Sequence, residues 1–258
     1  MQKELYYRPE KCIGCLRCVT VCPVQAHTTQ NGLHLFDPEG CLHCMACSDT
    51  CPAGALEAAS RTVPLEDILE QVLRDRVFYR NRGGLTVSGG EPTMQPEGLL
   101  ALLEAVKAEG ISTCLETCGA FPRALIPALL KHVDLFLFDI KDTDTIRHRE
   151  YTGGDLEHII DNLLLLDAGG AETVLRCILI PEVNLEQTHA LALAELFGKL
   201  SHCRYIELLP YHPYGLSKAE QLGKDGIRYR QPEPDELTAF AAILQENQIP
   251  VKLYGSLL

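Results

Sequence analysis

Eight of the twelve cysteines in this 258-residue chain crowd into residues 12–51, in two runs that share one spacing. The first is Cys12, Cys15, Cys18 and Cys22, in CIGCLRCVTVCP; the second is Cys41, Cys44, Cys47 and Cys51, in CLHCMACSDTCP. Both read C-x2-C-x2-C-x3-C-P. Three thiolates spaced this closely come to one side of a tight turn and match three corners of an iron–sulfur cubane, with the fourth ligand supplied from elsewhere. Pro23 and Pro52 stop each turn. A zinc module is the competing reading, but it calls for paired C-x2-C knuckles and only four ligands. Disulfides fit worse, because they belong to small secreted chains and nothing at the N-terminus reads as a signal or transit peptide.

The remaining composition is that of an ordinary globular protein, long enough for one large α/β domain and a small additional one. A formal net charge of −12, without any Lys/Arg cluster, argues against nucleic acid or an acidic membrane surface as partner. No apolar run approaches the ~18 residues of a membrane span. The expectation is a cytoplasmic protein.

From about residue 62 the pattern changes, which predicts two domains, 1–61 and 62–258. Apolar strand-like runs occur at 85–88, 111–116, 133–140, 173–180, 204–209 and 251–254. Between them lie amphipathic segments near 64–79, 97–109, 122–131, 155–167, 185–200 and 234–247, with apolar residues at helical spacing. Pro64 with Glu66 and Asp67, Asp155, and Pro234 with Asp235 and Glu236 are start signals. Strands alternating with helices predict a parallel sheet, and continuously apolar strands predict that both faces are covered. A full or partial (β/α) barrel fits, with its chemistry at the strand ends.

Those ends carry unusual residues. SGGEPTMQPE follows the first run, and its Gly89, Gly90 and Glu91 form either a plain turn or a site where backbone approaches a ligand and Glu91 meets a cation such as an amino group. Asp139 and Lys141, two apart, face the same way on an extended strand. Arg176 lies inside VLRCILI, where a guanidinium needs an anionic ligand or an internal carboxylate. His212, in LLPYHPYG, is a loop histidine or a contact. Cys114, Cys177 and Cys203 read as small apolar packers, as does Cys118 despite its place near the strand ends. No residue is singled out as catalytic.

The cysteine segment resembles two-cluster ferredoxins, in which each run's fourth cysteine serves the other cluster. That resemblance implies Cys12, Cys15, Cys18 and Cys51 for one [4Fe–4S] cluster and Cys41, Cys44, Cys47 and Cys22 for the other. The whole chain resembles the glycyl-radical-enzyme activating enzymes of the radical S-adenosylmethionine superfamily, typified by pyruvate formate-lyase activase. The likeness rests on SGGEPTMQPE at 88–97, LETCG at 115–119, LFDIK at 137–141, TGG at 152–154, LRCILIP at 175–181 with Asn184, and LLPYH at 208–212. It implies that Gly89, Gly90 and Glu91 hold the methionine amino group of S-adenosylmethionine. Lys141, Arg176 and His212 resemble further cofactor contacts, and Glu116, Thr117 and Asp139 positions able to hold a monovalent cation. In the implied mechanism the two clusters pass an electron to a third [4Fe–4S] cluster, which cleaves S-adenosylmethionine to a 5′-deoxyadenosyl radical that takes hydrogen from a glycine. The implied partners are a glycyl-radical enzyme, pyruvate formate-lyase-like or dehydratase-like, and a reducing flavodoxin or ferredoxin.

One departure stands out. The family binds the third cluster through C-x3-C-x2-C after the first barrel strand, and this sequence contains no such motif. The chain begins MQKELYYRPEKC, inside the stretch that follows that strand in the family. The expectation is therefore a partial barrel lacking its first strand, preceded by a small dicluster ferredoxin-like domain, with a third cluster only if the motif exists upstream. A start placed too late, an inactive truncated paralogue and an electron-transfer protein on the same scaffold are the three readings. Retention of Glu91, Lys141, Arg176 and His212 favours the first. The chain as given is expected to hold about eight irons, to expose an open edge at 85–88 that lowers its solubility, and not to cleave S-adenosylmethionine.

Overall fold

The computed structural model describes residues 4–79, 83–222 and 226–254. The chain divides into two compact units, residues 1–62 with 212–229, and residues 63–211 with 230–258. Residues 212–229, read from sequence with the barrel, thus group with the cysteine-rich segment.

In the first unit β1 (Leu5–Tyr7) pairs antiparallel with β4 (Leu56–Ala58), Leu5 opposite Ala58. Between them, β2 (His27–Gln30) and β3 (Leu33–Phe36) form a hairpin. It turns on Asn31–Gly32, both at positive φ, the pair favoured where the turn must match strand twist. Two short helices, α1 (Arg17–Val21) and α2 (Ala46–Thr50), follow the first two cysteines of each quartet. Each is entered through a left-handed residue, Leu16 at φ 59° and Met45 at φ 66°, so one backbone design occurs twice. The small core joins Leu5, Met45 and Leu56 to the buried Cys18 and Cys47.

The second unit is a six-stranded parallel sheet. Its strands are β5 (Gly84–Val87), β6 (Ser112–Thr117), β7 (Leu135–Asp139), β8 (Thr173–Leu179), β9 (Cys203–Pro210) and β10 (Val251–Leu253). Helices α3 (Leu65–Arg74) and α4 (Arg76–Tyr79) precede it. Then α5 (Pro96–Ala108), α6 (Ile126–His132), α7 (Thr145–Thr152), α8 (Leu156–Ala168) and α9 (Gln187–Gly198) connect successive strands. Between β9 and β10 come α10 (Tyr214–Gln221), which belongs to the first unit, and α11 (Pro234–Glu246). Strands stand in chain order, β5 at one edge and β10 at the other. Successive parallel βα units laid side by side generate the arc of a (β/α) barrel. The start signals act as read: Asp155 accepts from Glu157 N and His158 N, and Glu233 and Glu236 close a capping box around Pro234.

The prediction of strands covered on both faces needs correction. Leu115, Phe136, Phe138, Leu175, Leu179 and Leu208 are buried against helix residues such as Leu103, Leu129, Leu163, Leu193 and Leu244. The opposite face carries Glu116, Asp139, Arg176, Ile178 and Glu207, all only half-buried. The sheet therefore has one closed face and one open, charged face, and the alternation is visible in β6 to β9.

Packing is tight where the β6–α6 loop leaves the sheet. Gly119 has φ +78°, and a Cβ there would lie 2.2 Å from the ring of Phe138, itself fully buried. Gly119→Ala is expected to destabilise the protein by about 2–4 kcal/mol, combining backbone strain with overpacking, read as a lowered urea midpoint at unchanged slope. A midpoint equal to the parent protein's would show that this contact is not limiting.

Candidate cofactor sites

The open face leads at its C-terminal strand ends into a cleft of about 260 Å³, lined by Ser88, Gly89, Gly90, Glu91, Glu116, Thr117, Cys118, Asp139 and Lys141. Strands β5, β6 and β7 deliver these residues side by side, because β5 pairs with β6 through Val87↔Leu115 and β6 with β7 through Thr117↔Phe138. Gly89 and Gly90 take φ +92° and +45°, with nothing within 4 Å of where a Cβ would stand. Their backbone is therefore both left-handed and uncovered, as a loop that lets a ligand approach the main chain must be.

Glu91 is fixed by its neighbours. Its Oε1 accepts from Thr93 N at 3.2 Å, Thr93 Oγ1 at 2.6 Å and Thr117 Oγ1 at 2.9 Å, while Oε2 accepts from Cys118 N at 2.9 Å. Burial alone would raise its pKa, but the donors from Thr93 and Cys118 outweigh it and hold the carboxyl below the ordinary range. Oε2 has fewer donors than Oε1 and keeps acceptor capacity for a cation. Lys141 Nζ lies 2.6 Å from Asp139 Oδ2.

Arg176 resolves the question its sequence position raised. Burial disfavours its charge, yet the carboxylates of Glu116, Asp139 and Glu207 more than compensate and raise its pKa. It donates to Glu116, and its Nε lies 3.1 Å from Glu207 Oε2. The internal ion pair is thus present, on a row that pairs Asp139, Arg176 and Glu207 across β7, β8 and β9. His212 falls in the first unit, exposed, with its ring 4.4 Å from that of Tyr214. Within the second unit the structure therefore brings together eight of the nine residues read as cofactor contacts, Arg176 through its pairing with Glu116; His212 groups with the first unit.

Sequence reasoning missed Glu207, although a carboxylate inside RYIELL was a signal of the same kind as Arg176. It named Asn184 only within the resemblance, gave it no role, and missed the rest of the layer behind Lys141. Asn184, fully buried, donates to Lys141 O and Ile178 O, both at 2.9 Å. Asp142 accepts from Arg147 Nη2 at 2.9 Å, and His189 meets Thr143 Oγ1 at 2.7 Å and Cys177 Sγ at 3.1 Å. Burial pushes the His189 imidazole down to about 4, against the opposing charge of Asp142. A histidine depressed in the folded state binds its proton in the unfolded chain first, so stability is full above about pH 6.5 and falls as pH drops toward about 4. His189→Leu is expected to flatten the urea midpoint across that window, and an unchanged pH slope would count against this assignment.

In the first unit one cavity is lined by Cys12, Cys15, Cys18 and Cys51, and a second by Cys22, Cys41, Cys44 and Cys47. Each therefore draws three thiols from one quartet and the fourth from the other. Ala26 N donates to Cys22 Sγ at 3.2 Å and His43 N to Cys41 Sγ at 3.3 Å, the backbone donors that ligated thiolates take. Four thiols converging with N–H donors at sulfur fit a cubane cluster in each cavity. The four other cysteines do not converge: Cys118 lines the cleft, Cys177 is fully buried, and Cys114 and Cys203 are half-buried in or at strands, all with thiols pushed up by burial. They do not fit a third cluster.

No helix among the described residues is long and apolar enough to cross a membrane. The family model of the radical SAM superfamily matches residues 38–194, and that of the 4Fe-4S dicluster domain matches residues 4–52. A parallel βα arc, a strand-end cleft with the GGE loop and two cysteine quartets together define a radical S-adenosylmethionine protein with an iron–sulfur unit. Among curated relatives, the choline trimethylamine-lyase activating enzyme of Oleidesulfovibrio alaskensis is 37% identical over 86% of this chain and 74% of its own length. The (2S)-3-sulfopropanediol sulfolyase activating enzyme of Bilophila wadsworthia is 35% identical over 98% of this chain and 83% of its own. A solved domain of a pyruvate-formate lyase-activating enzyme from Bacteroides vulgatus shares the fold, with TM-score 0.57 and 24% identity over 67% of this chain and 99% of that one. The chain belongs to the glycyl-radical-enzyme activating enzymes of the radical SAM superfamily.

Proposed function

We propose that this chain binds S-adenosylmethionine in the strand-end cleft of its second unit, carries two [4Fe–4S] clusters in its first, and serves to install a glycyl radical on a partner enzyme. The observation that carries the reading is the cleft itself: the fixed carboxylate of Glu91, next to uncovered glycine backbone, stands among Glu116, Asp139 and Lys141. S-adenosylmethionine offers an ammonium and a sulfonium to the carboxylates and one carboxylate to the cations, so the charges correspond. Bound S-adenosylmethionine is the source of the radical in this family.

Within that reading each residue has a defined task. Glu91 accepts from the amino group while Thr93, Thr117 and Cys118 N hold it in place. Lys141, backed by Asn184, faces the ligand carboxylate, and Glu116, Thr117 and Asp139 supply the oxygens a monovalent cation takes. The eight cysteines hold the two clusters in the crossed sets given above, and electrons reach them from a reduced flavodoxin or ferredoxin in the cytoplasm. The 258 residues contain no C-x3-C-x2-C, and the four barrel cysteines lie apart, so reductive cleavage of the cofactor is assigned to none of them. The test is calorimetric titration of the anaerobically reconstituted chain with S-adenosylmethionine, alongside iron analysis. Saturable binding with about eight irons per chain supports the reading; no binding overturns it.

A further inference from the structure

Between the two cysteine cavities stands a pair of imidazoles to which the electron-carrier role assigns nothing. Residues 23–40, which separate the quartets, form the β2–β3 hairpin, whose register sets His27 opposite Phe36 and Thr29 opposite His34. His27 and His34 therefore share one face of the hairpin, diagonally placed. Both are buried, at 2% and 9% exposure. Their rings stack 5.0 Å apart, Phe36 stacks on His27 at 4.8 Å, and Tyr7 meets His34 edge-on at 4.8 Å. His34 lines the first cavity and His27 the second.

The polar contacts run in a line. His34 Nε2 lies 3.3 Å from Cys18 Sγ and 2.9 Å from His27 Nδ1. His34 Nδ1 faces a second sulfur of the same set, Cys12 Sγ, at the longer distance of 3.9 Å. A cluster-bound thiolate is only an acceptor, and the shorter contact to Cys18 assigns the proton to His34 Nε2, where the sulfur and His27 Nδ1 share it. Both sets take backbone donors, from Ala26 N and His43 N in the second and from the 53–56 backbone at Cys51 in the first. The first set has in addition a side-chain donor at Cys18, held by aromatic neighbours and by a second imidazole.

Resting on the two-cluster reading, we propose that His34 tunes the first cluster: its N–H bond to the Cys18 sulfur raises that cluster's reduction potential, and His27 holds the N–H in place. Reduction adds negative charge to the cluster and its sulfurs, so a donor aimed at a ligating sulfur stabilises the reduced state more than the oxidised one. In this proposal His34 and His27 are positioning residues, because both act through the Cys18 sulfur. The hairpin between the quartets then has a purpose beyond spacing them.

The test is an anaerobic redox titration of the reconstituted full chain, followed by electron paramagnetic resonance. The parent protein is expected to show two one-electron waves, of which Cys12→Ala lacks one. His34→Leu is expected to weaken reduction of that same cluster about tenfold, a downward shift of about 59 mV, and to leave the other wave in place. His34→Gln, which retains an N–H donor, is expected to return it most of the way. If the leucine variant holds too little cluster to titrate, His34→Phe removes the donor while keeping a ring. Waves that do not move, or two waves that move together, overturn the proposal, as does a glutamine variant as low as the leucine one. A parent chain that holds fewer than two clusters overturns the two-cluster reading itself, which separates the two failures.

Discussion

Glu91→Ala is expected to weaken S-adenosylmethionine binding on the order of 100-fold or more, measured by anaerobic calorimetry on the iron-loaded chain. Two losses combine. The charge-assisted bond to the ligand ammonium contributes roughly 1.5–3 kcal/mol, and tenfold corresponds to about 1.4 kcal/mol. The same carboxylate also organises its surroundings, because Thr93, Thr117 and Cys118 N all donate to it. Without it, those buried donors lose their acceptor and the β5–α5 and β6–α6 loops lose their tie. Glu91→Gln separates the two effects: its amide oxygen can still accept from Thr93 and Thr117, but its amide nitrogen faces the Cys118 N–H. Gln is therefore expected to bind more tightly than Ala and at least about tenfold more weakly than the parent. Binding by Glu91→Ala at parental affinity would remove Glu91 from the cofactor site.

The second large effect concerns the crossing of the quartets. Cys51 is the last residue of the second run, yet it lines the cavity of Cys12, Cys15 and Cys18. Cys51→Ala is thus expected to lose the same cluster as Cys12→Ala, with iron falling from about eight to about four per chain. Cys22→Ala is expected to match Cys41→Ala in the other resonance component. If Cys51→Ala matched Cys41→Ala instead, each run would serve its own cluster and the crossed assignment would be wrong.

Much of this architecture was legible because its signals are strong and local. Strand runs at 133–140 and 173–180 contain β7 and β8, and Asp155 and Pro234 begin helices where their caps require. Other elements carry no such signal. Helix α7, TIRHREYT, buries only His148, so it has no apolar stripe to read. Its Asp144 cap and the left-handed Gly153 at its end delimit it instead. The β2–β3 hairpin is short, and only Asn31–Gly32 announced it.

The candidate site was legible to a similar degree and for related reasons. Charged residues inside apolar runs, such as Arg176, mark a face that is not sealed. Taking the runs as continuously apolar concealed that face and hid Glu207, the second carboxylate beside Arg176. Distance along the chain does not show where it leaves one unit and returns. His212 follows β9 by two residues, yet it groups with residues 1–62. No local pattern in LLPYHPYG distinguishes a barrel loop from a departure to another unit.

That departure has a consequence for how the protein is made. Synthesis is vectorial, and domains generally fold as units in the order in which they emerge. The cysteine quartets are complete once residue 51 has left the ribosome, but their unit includes residues 212–229, where Gln221 accepts from Arg8 Nε of the segment beside β1. The iron-binding unit thus remains unfinished until most of the barrel has been translated, although its ligands precede the cleft residues in the chain. Assembly of the metal centres is thereby tied to completion of the scaffold they serve, and a chain abandoned midway holds its thiols in a half-built fold.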